Sequence, residues 1–217
     1  MDIYYRKRAE EYEEIYYRDD PIRNEEQRII VEAIKKAFNG MDVLEIACGT
    51  GYWTQFLSET AKSIVATDYV EEVMQIAKRK KYKCPVQFQK EDAYNLSFGN
   101  HSFDGILANL WFSHVPKVKI DTFLEGIQRV LKPGGIVFMA DNNYVEGSGG
   151  ELVRKEGEED TYKRRFLKDG SEYMVLKNYY TLNELFDIFS RYDKGLKKKN
   201  IFYGKFFCYV IYRMKDS

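Results

Sequence analysis

The chain has 217 residues, enough for one domain of moderate size or one domain with a modest cap. Lysine plus arginine balances aspartate plus glutamate at 34 each, so no overall field points to nucleic acid or to an acidic membrane. Cys48, Cys84 and Cys208 are odd in number and widely spaced, suggesting neither a disulfide framework nor a metal site.

No apolar run approaches the ~20 residues that span a bilayer. Met1-Asp2-Ile3-Tyr4-Tyr5-Arg6 lacks the apolar core of a signal peptide. The expected location is therefore the cytoplasm, with no membrane partner and no metal.

The elements alternate in an order that predicts α/β architecture. Tyr12, Ile15, Tyr16 and Tyr17 suit an amphipathic helix within residues 1–20, either a lid over a site or a helix that simply docks on the domain. Residues 21–38 read as a helix. Pro21 suits its first turn, Ile29, Ile30, Ala33, Ile34 and Ala37 recur at helical spacing, and Asn39-Gly40 stops it. A strand follows over roughly 42–47, then a helix near 52–60. Ser63–Thr67 is a second strand ending at Asp68, followed by a helix over Val70–Lys80. Pro85–Gln89 and Phe103–Ala108 are the third and fourth strands. A helix from about Lys117 to Leu131 closes at Lys132-Pro133-Gly134-Gly135, and Gly135–Ala140 is a fifth, buried strand.

Residues 144–178 break this rhythm. They are polar, carry no clean period, and exceed the usual connection, which predicts a functional insertion or lid. Thr181-Leu182-Asn183-Glu184 is a capping box opening a helix to about Tyr192. Ile201–Tyr203 and Phe206–Tyr212, around Gly204-Lys205, read as a hairpin.

Val43-Leu44-Glu45-Ile46-Ala47-Cys48-Gly49-Thr50-Gly51-Tyr52-Trp53 carries the most information. A buried strand enters a glycine-hinged turn and then a helix, a cradle for a nucleotide-like cofactor. The acid inside the strand, Glu45, suits a cationic ligand better than a pyrophosphate. A dinucleotide fingerprint also wants a third glycine where Thr54 stands, and no phosphate-loop Gly-Lys-Ser/Thr is present. Asp68, at the tip of the second strand, can accept hydrogen bonds from both hydroxyls of a ribose, and can also cap the following helix. Asp92-Ala93 follows the third strand, and Asn109 ends the fourth, where the crevice of an open parallel sheet lies.

With these pieces in order, residues 40–141 resemble the class I S-adenosylmethionine-dependent methyltransferases. Glu45 to Gly51 matches the family's first motif, Asp68 its second-strand acid, and Asp92-Ala93 its third-strand position. Phe103-Asp104 through Asn109 matches the fourth strand, and Leu131 to Gly135 the turn before the fifth. The resemblance implies a doubly wound, mostly parallel seven-stranded Rossmann-like sheet with an antiparallel C-terminal hairpin. Residues 1–217 would then be a single methyltransferase domain, with a cofactor core at 40–141 and a partial lid from 1–20 and 144–178. It also implies S-adenosyl-L-methionine as cofactor. Glu45 would face its methionyl end, and Ala47, Gly49 and Gly51 would supply backbone contact. Asp68 would hold the ribose, Tyr69 and Met74 would flank the adenine, Asp92 and Ala93 would reach its edge, and Asn109 would sit near the methionine portion.

Methyl transfer from a sulfonium is an in-line displacement, so alignment and exclusion of water dominate, with a base needed for some neutral acceptors. His114, just past the fourth strand, is the candidate base or substrate-orienting group, set against a packing role at a loop-to-helix junction. Trp111 either stacks on an acceptor or packs in the core. Asn142 and Tyr144 leave the fifth strand at the same edge, and Tyr12 and Tyr16 are candidate walls of the acceptor site. The expected function is methyl transfer to a small-molecule acceptor, with the methylated atom and the oligomeric state left open. Two rivals stand beside it: an RNA-modifying methyltransferase using Lys78–Lys83 and Lys197–Lys199, and a cofactor-binding protein without methyl transfer. Asn109-Leu110-Trp111-Phe112 lacks the Pro-bearing signatures of base-modifying branches, which argues against nucleic acid.

Overall fold

The computed structural model describes residues 2–214; Met1, the first residue of the expected lid, and residues 215–217 lie outside the described residues. The chain opens with helix α1 (Asp2–Arg8), which tightens into a 3-10 helix over Ala9–Ile15. Helix α2 (Pro21–Ala37) begins where Asp20 Oδ1 accepts hydrogen bonds from the backbone N–H groups of Ile22 and Arg23, both at 3.0 Å. Pro21 occupies its first turn, where a missing N–H costs nothing.

The alternating core follows: β1 (Asp42–Ile46), α3 (Tyr52–Leu57), β2 (Ser63–Asp68), α4 (Glu71–Ala77), β3 (Val86–Lys90) and β4 (Phe103–Asn109). Helix α5 (Ile120–Val130) then leads to β5 (Leu131–Asn142). After a small excursion come α6 (Leu182–Phe189), a strand at Ile201–Tyr203 and another at Phe207–Arg213. In chain order the excursion holds β6 (Leu152–Arg154), β7 (Thr161–Phe166) and β8 (Glu172–Leu176), so the last two strands are β9 and β10.

The main sheet has seven strands in the order β3-β2-β1-β4-β5-β10-β9, parallel from β3 to β5. The expected hairpin closes it: β10 runs antiparallel to β5, and β9 antiparallel to β10. Strand order reverses between β1 and β4, which opens a crevice at their carboxyl ends. Alternation along the strands divides the core in two. Leu44, Ile46, Ile106, Ala108, Val137 and Met139 pack with Phe123, Leu124 and Ile127 of α5. Val43, Leu107, Ile136 and Phe138 pack on the other face with Ile30, Ile34, Trp53 and Leu57. Burial on both faces explains why these strands read as apolar runs.

The structure departs from the sequence expectation in three places. Residues 144–178 are not irregular: β6, β7 and β8 form a separate three-stranded antiparallel sheet. Its pattern is hidden because β6 buries no residue, β8 buries only Val175, and the residues that β7 buries are polar. On β7 these are Thr161 and Lys163, whose ammonium donates to the carbonyls of Ser148 and Gly150 at 3.2 and 2.7 Å. Helix α5 begins at Ile120, after a 3-10 turn over Lys117–Lys119. Finally, β5 starts at Leu131, so the expected turn at Lys132–Gly135 is an irregularity within the β4–β5 pairing. The Thr181–Glu184 capping box is present as expected.

Candidate functional site

The turn after β1 folds as its residues dictate. Cys48 N–H donates to the Thr67 carbonyl at 2.9 Å, tying the turn to β2. Ala47 sits in left-handed backbone at φ 55°, which costs a residue with a Cβ about 1 kcal/mol. Leu110, past the tip of β4, does the same at φ 56°. Both line one cavity, and strain of this kind concentrates at functional sites. The two glycines differ in purpose. A Cβ on Gly49 would meet open space, whereas one on Gly51 would stand 2.5 Å from the Tyr82 hydroxyl and 2.9 Å from the Ala77 Cβ. Gly49 therefore faces the cavity, and Gly51 admits the close approach of α4.

That cavity, about 320 Å³, lies at the carboxyl ends of β1, β2 and β4. It gathers Ala47, Gly49, Asp68, Tyr69, Asp92, Ala93, Asn109, Trp111 and His114 of the expected site. Asp68 accepts from the Gly49 N–H at 2.9 Å and from the Val70 N–H at 2.8 Å, so its carboxylate clamps the glycine turn to the start of α4. Tyr69 is 54% exposed at the rim. Asp92 is exposed and accepts from the Tyr94 N–H at 2.9 Å.

Glu45, Met74 and Gly51 do not line the cavity. Glu45 is buried in β1 behind it, and burial pushes its carboxyl up to about 8, with the charge of Asp68 adding. Met74 is packed into the core from α4. Several buried polar atoms around this region have no hydrogen-bond partner: both amide atoms of Asn109, Glu45 Oε2 and Trp111 Nε1. Orphaned buried amides are costly, so the pattern fits residues kept for a polar ligand. An acid-lined cavity with a glycine floor suits a cationic nucleoside such as S-adenosylmethionine.

A second, smaller cavity of about 80 Å³ adjoins the first. Tyr5, Tyr12, Leu110 and His114 border both. Asn142 lines it as expected. Tyr144 does not border either cavity; it is 47% exposed and packs edge-on against Tyr179. Tyr16 is also absent from both walls, being buried and stacked on Tyr52 with ring centroids 3.7 Å apart. That packing explains its helical spacing.

His114 is buried at the junction. Its Nδ1 lies 2.6 Å from the Leu176 carbonyl, which only accepts, so Nδ1 carries the proton. Its Nε2 lies 3.1 Å from the Tyr5 hydroxyl and accepts from it. Burial, reinforced by the Lys177 cation, holds the imidazole pKa well below its usual value, and the ring is neutral.

Sequence reasoning passed over several residues that the fold assembles here. Lys177 is buried and donates to Ser113 Oγ at 2.6 Å, Asp141 Oδ1 at 2.9 Å and Asn142 Oδ1 at 3.2 Å. Asp141 also accepts from the Ser113 N–H at 2.7 Å, and the Lys177 ammonium holds its carboxyl low despite burial. Arg8, Arg18, Arg23 and Arg165 reach the second cavity from four separate segments. Glu91, buried at the cofactor side, accepts from Gln89 Nε2 at 2.6 Å and the Ser97 N–H at 3.0 Å. Asp141 differs from the others, since the sequence places it with Asn142 at the edge where side chains could touch the acceptor, and Glu91 directly precedes the expected Asp92.

The family model of the methyltransferase domain matches residues 43–135. A demethylmenaquinone methyltransferase of Lactococcus lactis is 33% identical over 111 residues, 48% of this chain and 43% of that protein. The chain thus spans less than half the length of the curated relatives it matches. Among solved structures, the DhpI–SAH complex superposes with a TM-score of 0.75 at 26% identity, over 100% of this chain and 96% of that one. The DhpI–SAM–HEP complex gives 0.74 at 25% identity, over 96% and 94%. Matched motif, sheet order and acid-lined cavity agree: residues 43–135 match the methyltransferase-domain family, and the whole chain is similar in fold to S-adenosylmethionine-dependent methyltransferases.

Proposed function

We propose that the chain transfers a methyl group from S-adenosylmethionine to a small-molecule acceptor held in the second cavity. The observation that supports this reading is the shared wall: the cavity under the strand tips meets the smaller one at Tyr5, Tyr12, Leu110 and His114. When bound, the cofactor supplies a methyl carbon on a sulfonium sulfur, whose bond breaks with its electron pair going to sulfur as the acceptor atom bonds to carbon.

The protein's share is binding, alignment and exclusion of water. Asp68 would hold the ribose, with Tyr69, Asp92 and Ala93 at the adenine. Asn109 and Glu45 would satisfy the methionyl end, Asn109 directly and Glu45 from behind the cavity, while Ala47 and Gly49 provide the backbone floor. Tyr5, Arg8 and Tyr12 from the N-terminal helices, with Arg165 and Lys177 from the 144–178 region, cover the acceptor. Both segments therefore act as the lid. His114 orients Tyr5 and the acceptor; its neutral ring and two hydrogen bonds suit positioning better than proton removal.

A nucleic-acid acceptor is disfavoured by topology. Lys78–Lys83 precede β3 and Lys197–Lys199 precede β9, and these strands are opposite edges of the sheet, so the two runs make no common basic face. Among the described residues no helix is long and apolar enough to cross a membrane. The test is to incubate the protein with methyl-labelled S-adenosylmethionine and metabolite pools. A labelled small product supports the reading; cofactor binding with no labelled product from any pool would favour a binding protein without transfer.

A further inference from the structure

The second cavity carries a charge that the neutral composition conceals. Arg8, Arg18, Arg23 and Arg165 line it together with Lys177, and no aspartate or glutamate does. Lys177 is offset by Asp141 at 2.9 Å. The four arginines form no ion pair among the described residues, although other surface cations, such as Arg6 with Glu72 and Arg28 with Glu25, do so.

Aromatic faces hold two of the four in place. Arg8 lies 5.4 Å from the ring centroids of both Tyr4 and Tyr12, and Arg23 lies 4.6 Å from that of Phe207. Arg23 is only 7% exposed, and its Nε has no hydrogen-bond partner. The carboxylates that act on it do not pair with it. Asp20 is taken by the N–H groups at the start of α2, and Glu26 by those of Lys205, Phe206 and Phe207. Burial first, and then the Arg18 charge, lower the pKa of Arg23, with Asp20 and Glu26 offsetting only part of the effect. Arg165 stands against Gly149, where an added Cβ would lie 2.9 Å from Nη1. A partly buried set of like charges with no directly paired carboxylate is unfavourable by itself, and an anionic ligand reduces the penalty.

The state of His114 adds a second constraint. Its ring is neutral, its Nδ1 is committed to a carbonyl and its Nε2 to Tyr5. An acceptor that needs no deprotonation is the one this site serves well.

We propose, resting on the methyl-transfer reading above, that the acceptor is a small oxyanion, a carboxylate or a phosphoryl or phosphonyl group. It is seated by Arg8, Arg23, Arg165 and Lys177 and methylated on its own charged oxygen. That oxygen's lone pair forms the new O–C bond, the C–S bond of the sulfonium breaks with its pair going to sulfur, and no proton leaves. The product is a methyl ester with one negative charge fewer, which the cationic cavity holds less tightly.

Binding tests this apart from turnover. Inorganic phosphate, methylphosphonate and acetate are titrated calorimetrically into the full chain saturated with S-adenosylhomocysteine. At least one is expected to bind, with affinity falling as salt rises. Arg165→Gln is expected to weaken that binding roughly tenfold or more, and Arg165→Lys to restore part of it. Cofactor titration into both variants is expected to match the parent, which checks their folding. Preference for phosphate and methylphosphonate over acetate assigns the phosphoryl class, and the reverse assigns the carboxylate class. Failure of all three anions while the cofactor binds overturns the inference, as does anion binding that ignores Arg165→Gln. Failure of the parent to bind the cofactor instead contradicts the methyl-transfer reading, while the anion titration still reports on the cavity.

Discussion

The two cavities share a wall and carry opposite charge. The larger is edged by Asp68, Glu91 and Asp92 with a single lysine, Lys119; the smaller has arginines and Lys177 and no acid. A net charge of zero thus conceals two local fields of opposite sign, one suited to a cationic ligand and the other to an anionic one.

The sharpest way to break the contrast is on the acidic side. Asp68→Ala removes the clamp on Gly49 and the acceptor for the ribose hydroxyls, and is expected to weaken S-adenosylmethionine binding roughly hundredfold or more in calorimetry. Unchanged affinity would remove Asp68 from the site.

Glu45 gives the next effect, and it reads out in pH. The buried carboxyl sits at about 8 when folded, against roughly 4.3 in an unfolded chain. The folded value is raised, so the folded protein holds an extra proton between these limits. Stability from this group therefore declines as pH rises from roughly 4.3 to about 8, and the loss is complete above that. A cationic cofactor draws the carboxyl back to its charged form. Binding is thus expected to release a proton below pH 8, with affinity rising toward roughly tenfold per pH unit and levelling above it. Glu45→Gln should flatten the profile; a parent profile that is already flat would contradict the coupling.

Asn109→Leu should act more modestly and in two directions. Both amide atoms are buried without partners, so thermal stability of the free protein is expected to hold or rise, while cofactor affinity falls roughly tenfold. A drop in stability with no change in affinity would assign the amide a structural role. Smallest is Thr181→Ala, which breaks the capping box of α6 and should cost ~1 kcal/mol in chemical denaturation, with binding in both cavities unchanged. It serves as the baseline for variants away from the sites.

The same contrast divides what the sequence reveals. The cofactor half was legible because its chemistry is local: Ala47, Gly49, Asp68, Asp92 and Asn109 each sit at a strand tip, at intervals that the parallel sheet imposes. The capping box at Thr181 and the C-terminal hairpin were legible for the same reason. Gly51 and Met74 belong to the same motif order, yet the fold spends them on packing α4 and the core. The acceptor half was less legible: Arg8 and Arg18 fall in the expected 1–20 lid and Arg165 in the 144–178 insertion, but no local motif singles out these arginines, and only the fold brings them together with Arg23. Tyr16 illustrates the limit. Its spacing on the N-terminal segment shows which face is buried, and only the packing against Tyr52 shows what buries it. The sheet of residues 152–176 escaped for a related reason, since the period-two pattern fails when the buried residues are Thr161 and Lys163.

The most direct measurement is a mass-spectrometric competition. The protein is given methyl-labelled S-adenosylmethionine with equal amounts of carboxylate, phosphonate and neutral hydroxyl acceptors of matched carbon skeleton, and with demethylmenaquinol. Label is expected in a base-labile methyl ester of one of the oxyanions. Label on the neutral hydroxyl or on the quinol, with the oxyanions untouched, would contradict that expectation.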